Sequence, residues 1–106
     1  MAERFDNVTG RIRALLVAVN EGNGAPSREA VEATLTEGYA AALALDGERL
    51  RLERRMDEVT AHVAQGSSAR VKEMQKVLAR LEVTEQHLSE LRDLLNRLKG
   101  RAAQAA

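Results

Sequence analysis

Apolar residues recur along most of this chain at alternating steps of three and four, the spacing that places side chains on one face of an α-helix. Glycine, proline and serine interrupt the pattern at residues 21–26 and again at residues 66–68. We therefore expect three helices, over about residues 4–20, 28–65 and 69–99.

Residues suited to helix ends support these boundaries. Ser27 is a good N-cap for the second helix, because its side-chain oxygen can accept from a free backbone N–H of the first turn. Gly66 and Gly100 are suited to end the second and third helices. At 1.5 Å per residue the second helix would be about 57 Å long, too long for a compact bundle, so we expect part of it to form a stalk.

The first helix is predicted to carry a single apolar stripe that packs against the second helix. Small residues between positions 38 and 44 of the second helix allow another helix to come close, and an antiparallel arrangement would bring Phe5 near Leu43. We interpret the stripe as core; the alternative is a detachable arm that binds a partner. The stripe consists of Phe5, Val8, Ile12, Leu15 and Val19.

The second and third helices each carry a heptad seam. In an antiparallel hairpin the numbers of facing residues add to a constant, and sums of 133 or 134 match the two seams along their length. We therefore predict an all-α fold: one domain over residues 1–106, a long antiparallel coiled-coil hairpin with a short N-terminal helix at its open end. This gives a three-helix base and a two-helix stalk. The seams are Val31, Leu35, Gly38, Ala42, Leu45, Arg49, Leu52, Met56, Val59 and Val63, and Val71, Met74, Leu78, Leu81, Glu85, Leu88, Leu91, Leu95 and Leu98.

Each seam contains one charged residue in the stalk. Arg49 on the second helix falls at the same level as Glu85 on the third. We expect the two to form an ion pair that fixes the register of the hairpin, at some cost in stability relative to apolar residues.

Composition limits the function. Sixteen basic residues balance sixteen acidic ones, which disfavours binding to nucleic acid and a polybasic membrane anchor. One Phe, one Tyr and no Trp predict a thin aliphatic core, and the lack of Cys excludes disulfides and thiolate metal sites. The longest apolar run is too short for a signal peptide or a membrane span, so we expect a cytoplasmic protein.

No residue pattern predicts catalysis, a metal or a cofactor. His62 and His87 lie on different helices and at different levels of the hairpin, whereas a metal site needs at least three converging ligands. Carboxylates are spread along helix faces beside Arg and Lys, as on an ordinary solvated coiled coil. Residues 22–24 are glycine-rich but follow a helix, not the strand that a phosphate-binding loop requires. We therefore expect that the protein is not an enzyme.

A few apolar residues lie off the seams and are candidates for an interaction surface. Leu50 and Val83 stand at the same height on the stalk, beyond the reach of the first helix, so we expect them to form one patch. Leu43, Leu94 and Tyr39 form a second tier nearer the base, where the first helix can cover Leu43 and Leu94. Scattered exposed apolar residues are normal, which is the ordinary alternative. The patch predicts a non-enzymatic adaptor that pairs as a weak homodimer or binds another protein.

The third helix also carries a spaced set of polar residues. Glu85, Ser89 and Arg92 have the spacing of the first three positions of an E-x3-S-x2-R-x3-Q-x3-D motif, and Asn96 and Gly100 stand at its fourth and fifth positions. This run of 16 residues resembles the motif of cyclic-di-GMP-binding anti-sigma factors of the RsiG type. The motif occurs here once, on the third helix only.

The resemblance implies a second function. Proteins of that type are cytosolic helical hairpins, and the resemblance implies a bacterial regulator that responds to cyclic-di-GMP. Glu85, Ser89, Arg92 and Asn96 would then contact the nucleotide, with Arg suited to guanine O6 and N7 and carboxylate to guanine N–H groups.

Overall fold

The computed structural model describes residues 2–21, 26–66, 68 and 70–105, with side chains except at 2, 20, 21, 104 and 105. These residues form three α-helices and no strand: α1 at Ala2–Glu21, α2 at Arg28–Ala64 and α3 at Arg70–Ala105. The predicted all-α fold is confirmed.

The helix ends follow local chemistry. The Ala30 backbone N–H donates to Ser27 Oγ at 3.1 Å, which confirms the predicted cap of α2. Gly66, just after α2, has a φ of 93°, a left-handed conformation that favours glycine. By contrast, α3 continues through Gly100 to Ala105, so the prediction that Gly100 ends the helix is wrong. A glycine inside a helix costs only about 1 kcal/mol, and the alanines that follow are the best helix formers.

The chain divides into two compact units. The first, Met1–Leu43 with Ser89–Ala106, contains parts of all three helices, and we call it the base. The second, Ala44–Leu88, contains the rest of α2 and α3 and the turn that joins them, and we call it the stalk. Three helices in one unit and two in the other agree with the predicted arrangement.

In the base, α1 packs on both other helices. Arg11 forms an ion pair with Glu37 on α2, and Arg13 forms one with Glu90 on α3. The Arg11–Glu37 pair fits the predicted antiparallel register of α1 and α2. The front half of the apolar stripe is buried and its last members are half-buried, so the core interpretation of α1 is confirmed. The buried apolar residues of the base are Phe5, Val8, Ile12, Val31, Ala41, Leu91, Leu94, Leu95 and Leu98.

Gly38 shows the register of α2 and α3 in the base. A Cβ atom added to Gly38 would overlap Leu95 Cδ2 and would lie 3.3 Å from Leu95 Cγ. Their residue numbers add to 133, which confirms the predicted register here. Because Leu95 is almost completely buried, a side chain at position 38 would have to displace it from the core of the base.

In the stalk, the seam of α3 differs from the prediction. Val77 is 8% exposed and Thr84 is also buried, whereas Leu78 is 46% exposed and Glu85 is exposed. With Val77 and Thr84 in the seam, steps of three and four continue without a break into the seam of the base. The residue numbers of facing seam residues then always add to 133. Each residue at heptad position a on one helix faces a residue at position d on the other, as in an antiparallel coiled coil. The α3 seam is Met74, Val77, Leu81, Thr84, Leu88, Leu91, Leu95 and Leu98.

The predicted Arg49–Glu85 ion pair is wrong. The Arg49 guanidinium donates to Asp46 at 2.7 Å and to Glu53 at 3.0 Å, both on its own helix. These contacts, first of all the hydrogen bond to Asp46, raise the pKa of Arg49. The residue opposite Arg49 is Thr84, and Glu85 points away from the seam. A long side chain can leave its stem in the seam and carry the charge out to nearby carboxylates, which avoids the cost of a buried pair.

The ion pairs of the described residues include two that join α2 and α3 in the stalk. Arg80 pairs with Glu48 at 3.5 Å, and Arg55 pairs with Glu73. The pairs lie one heptad apart on each helix, and the arginine is on α3 in the first pair and on α2 in the second. A slip of seven residues would therefore place Arg55 against Arg80, or Glu48 against Glu73. Each exposed pair contributes little by itself, but together they penalise the wrong registers.

Candidate interaction surface

In heptad notation the seam residues occupy positions a and d, and position g directly precedes each residue at a. The residues at position g decide where α1 packs. In the stalk these positions carry the interhelical ion pairs. In the base the equivalent residues are Thr34, Ala41 and Leu94, and all three are buried. The Arg11–Glu37 and Arg13–Glu90 pairs place α1 on this side of the base. Among the described residues, none of α1 therefore covers the other side of α2.

Leu94 is not available as an interaction residue. It is only 5% exposed and belongs to the core of the base, so its place in the predicted surface is wrong. Its g position explains this burial, since α1 packs on the same side. This burial agrees with the expectation that α1 can cover Leu94.

Leu43 behaves in the opposite way. It is 74% exposed, so α1 does not cover it, although the sequence allowed that, and it stays a candidate interaction residue. At this level of α2 the buried residue is Ala41, which is 3% exposed. Leu43 is two residues further along, about 200° around the helix, and so faces away from α1. Tyr39, one turn before Leu43, is also exposed.

Leu50 and Val83 are exposed as predicted, at 44% and 48%. The structure does not bring them together. Val83 lies about 60° around α3 from Arg80, on the side of the interhelical ion pairs, whereas Leu50 lies about 160° around α2 from Glu48, on the opposite side. The prediction of one shared patch is therefore wrong, although both residues stand at the same height.

Leu50 instead continues a stripe that contains Leu43. Six residues of α2 follow one another at steps of three and four on the face opposite the seam, and all are small or apolar except Thr36. The Thr36 hydroxyl donates to the Glu32 carbonyl oxygen at 3.0 Å, so its polar atom has a partner within the helix. All six are exposed except Gly47, which is half-exposed. We call this surface the outer stripe: Ala33, Thr36, Ala40, Leu43, Gly47 and Leu50.

Sequence reasoning found only the two leucines of the outer stripe. The signal for the rest was present, as a second heptad repeat on α2 shifted from the seam. It was missed because three of its members are alanine or glycine, which carry little hydrophobic weight. The repeat ends at Arg54 and Asp57, the next two positions in the same spacing, which are both exposed.

The residues of the anti-sigma motif also lie on one face. Glu85, Ser89, Arg92 and Asn96 are all exposed along α3, and Gly100 follows them within the same helix. Arg49 does not engage Glu85, so the carboxylate is not taken by the predicted ion pair. The assignment of these residues to a nucleotide stays a prediction.

Other possible sites are sparse among the described residues. No group of three or more His, Asp or Glu in the described ranges could hold a metal ion. His62 is exposed, with Nδ1 2.8 Å from the carbonyl oxygen of Glu58. An open groove of about 500 Å³ runs beside α1, but none of the predicted site residues lines it. Its lining residues are Glu3, Arg4, Asn7, Val8, Arg11 and Glu37.

None of the described helices is both long and apolar enough to cross a membrane. Comparisons with protein-family models, with curated proteins and with solved structures found no match.

Proposed function

We propose that this protein is a non-enzymatic, cytoplasmic interaction module that binds another protein chain through the outer stripe of α2. One observation carries the proposal: Leu43 and Leu50 are 74% and 44% exposed on a single helix face, with small residues between them. Full burial of a leucine side chain contributes about 1.5–3 kcal/mol. A partner that covers both would gain much of that energy.

The shape of the outer stripe favours a helix as the bound element. Ala40 and Gly47 leave shallow places on the surface of α2, and Leu43 and Leu50 project beside them. A facing helix can place its own large side chains over the small residues and receive the leucines between its turns, as in ridges-into-grooves packing. The repeat of three and four steps on α2 is the spacing that such packing requires.

A pair of matched variants tests this function. We expect the double variant Leu43→Glu, Leu50→Glu to keep its helical content by circular dichroism and to lose its binding partner. The control is Leu78→Glu, Val83→Glu, because these residues are similarly exposed but lie on α3. The readout is the set of proteins retained by immobilised chain from the source cells, with reconstitution from purified components.

The result expected is a partner held by the wild type and by the control, and lost by the outer-stripe variant. If both variants retain the same proteins as the wild type, the outer stripe is not the binding surface. If the control loses the partner and the outer-stripe variant keeps it, the interaction belongs to α3.

The nucleotide-responsive regulator is a second proposal. The exposed row of Glu85, Ser89, Arg92 and Asn96 supports it, together with the resemblance on which it rests. Calorimetric titration with cyclic-di-GMP separates the two functions. Heat of binding that Arg92→Ala abolishes and Arg97→Ala preserves would favour the regulator, because Arg97 is an exposed arginine on a different face of α3.

A further inference from the structure

We propose that the partner of the outer stripe is a second copy of this chain, with the two α2 helices antiparallel. This inference rests on the proposed function and names its partner. The two-fold axis would pass at the level of residues 41 and 42, so that the numbers of facing residues add to 83. The outer stripe is complementary to itself in this arrangement, in size and in charge.

The size of the facing residues is complementary in every layer. Ala33 of one copy would face Leu50 of the other, Thr36 would face Gly47, and Ala40 would face Leu43. The two-fold axis repeats each pairing, which gives six layers, each with one larger and one smaller residue. Alternation of large and small residues is how close-packed layers interdigitate without voids.

Other alignments lose this complementarity. In a parallel pair each residue would face its own copy, so Leu43 would meet Leu43 and Gly47 would meet Gly47. Crowded and empty layers would then alternate. Sliding the antiparallel pair by one heptad leaves only four of the six layers apolar, or brings Arg54 and Asp57 against members of the stripe. The arrangement centred at residues 41 and 42 keeps all six layers and pairs a larger with a smaller residue in each.

Charges at the borders of the stripe favour the same alignment. Glu29 would face Arg54 in the next layer outward. In the hairpin the numbers of facing seam residues add to 133, whereas those of the flanking pair Arg55–Glu73 add to 128, a difference of five. The same offset places Glu37, which already pairs with Arg11, opposite Arg51 of the other copy, which pairs with Glu48 on its own helix at 3.0 Å. Symmetry doubles both attractive pairs.

One like-charge contact, which symmetry also doubles, works against the dimer. On the other flank Glu32 would face Asp46, whose carboxylate already accepts from Arg49 at 2.7 Å. Tyr39 would meet Tyr39 of the other copy on this flank. The contact spans about 25 Å of each helix and buries two leucines per copy, a small interface. The dimer should therefore be weak and dissociate in the micromolar range or above.

Cysteine cross-linking of the full chain tests the partner and its direction together. The protein has no cysteine of its own, so each introduced thiol is unique. We expect Thr36→Cys mixed with Gly47→Cys to give a mixed disulfide dimer under mild oxidation. Thr36→Cys alone should give none, since the two copies of residue 36 would be about 16 Å apart along the axis. Gly47 tolerates a side chain, because an added Cβ would lie at an ordinary 3.6 Å from Arg51 Nη1.

Sedimentation velocity over increasing protein concentration supplies the second readout. We expect reversible dimerisation. The double variant Leu43→Glu, Leu50→Glu should raise the dissociation constant at least tenfold, and the double variant Leu78→Glu, Val83→Glu should leave it unchanged. A strong disulfide dimer from Thr36→Cys alone, or no mixed disulfide at all, overturns the antiparallel dimer. A monomer at millimolar concentration also overturns it. If such a monomer still loses a different protein partner with the outer-stripe variant, the proposed function stands while this inference fails.

Discussion

The base and the stalk are built from the same two helices, yet only the base recruits a third. In both units α2 and α3 meet at one aliphatic seam with the same sum of facing residue numbers. They differ at the g positions, which carry Ala41 and Leu94 in the base but Glu48 and Arg80 in the stalk. Apolar g residues gain from burial under another helix, whereas charged ones form ion pairs that keep contact with water. A few flank residues thus decide whether a hairpin accepts a third helix.

The difference extends to the seam itself. In the base Ile12, Leu91, Leu95 and Leu98 are essentially inaccessible to solvent, because α1 closes the side that a two-helix seam leaves open. In the stalk Val59 is the one large apolar side chain of the described residues with comparable burial. Most other stalk seam residues are half-buried. The stalk should therefore open more easily than the base.

The largest expected effect comes from the same truncation made in each unit. Leu91 in the base and Leu81 in the stalk are both seam leucines of α3, but Leu91 is fully buried and Leu81 is half-buried. Leu91→Ala should lower the free energy of unfolding by about 3–5 kcal/mol, since it leaves a cavity among α1, α2 and α3. Leu81→Ala should cost about 1–2 kcal/mol, because solvent already reaches its side chain.

Urea denaturation followed by circular dichroism measures both losses. Equal losses at the two sites would show that the stalk seam is packed as tightly as the base. Hydrogen exchange of the α3 amides then reports whether each variant opens locally or as a whole.

A smaller effect of opposite sign is expected from two glycines of the base. Gly38→Ala should destabilise by about 1 kcal/mol, since the new Cβ overlaps the buried Leu95 side chain and overpacking outweighs the gain in helix propensity. Gly10→Ala should stabilise by about 0.5–1 kcal/mol, because no heavy atom lies within 4 Å of its added Cβ. Thermal melts of both variants beside the wild type give the signs directly. Stabilisation by Gly38→Ala would mean that the helices of the base are not in such close contact.

The smallest effect concerns the ion pairs of the stalk. Hydrogen bonds from Arg70, at 2.6 Å, and from Arg55 lower the pKa of Glu73. A lowered carboxyl pKa means that this residue stabilises the fold at neutral pH, and that the contribution disappears as the pH falls through the folded-state pKa. Glu73→Gln should therefore reduce the melting temperature slightly at pH 7, and the two proteins should converge in acid.

The control is Asp57→Asn, since Asp57 is exposed and forms no ion pair within the described ranges. Its melting temperature should follow the wild type across the pH range. A constant difference between Glu73→Gln and the wild type from neutral to acidic pH would contradict the role given to this carboxylate.

The sequence predicted the helices and their register because both depend on repeats that span many residues. Gly38 against Leu95 follows directly from that register. Individual side chains were harder to place. The predicted seam contains Leu78, but an unbroken heptad requires Val77, and α3 keeps the heptad. The partners of Arg49 depend on rotamers that spacing does not determine.

The interaction surface was predicted less well for a related reason. Height on the hairpin follows from residue numbers, but the side of the hairpin depends on the heptad position of each residue. The misassigned α3 seam hid the fact that Leu50 and Val83 face opposite sides. Leu94 and Leu43 were predicted to behave alike, but one is buried and the other exposed, because burial depends on which side α1 occupies. The g positions contained that information, in the change from apolar to charged residues.

The residue numbers of facing residues on α2 and α3 add to a constant, and this limits how the protein can change in length over evolution. Insertion or deletion of residues in one stalk helix alone would move every layer beyond it out of step, and would separate Glu48 from Arg80 or Arg55 from Glu73. A change tolerated by the stalk must remove or add a whole heptad in α2 together with a whole heptad in α3. We therefore expect homologues to differ in this region by paired steps, about 14 residues at a time.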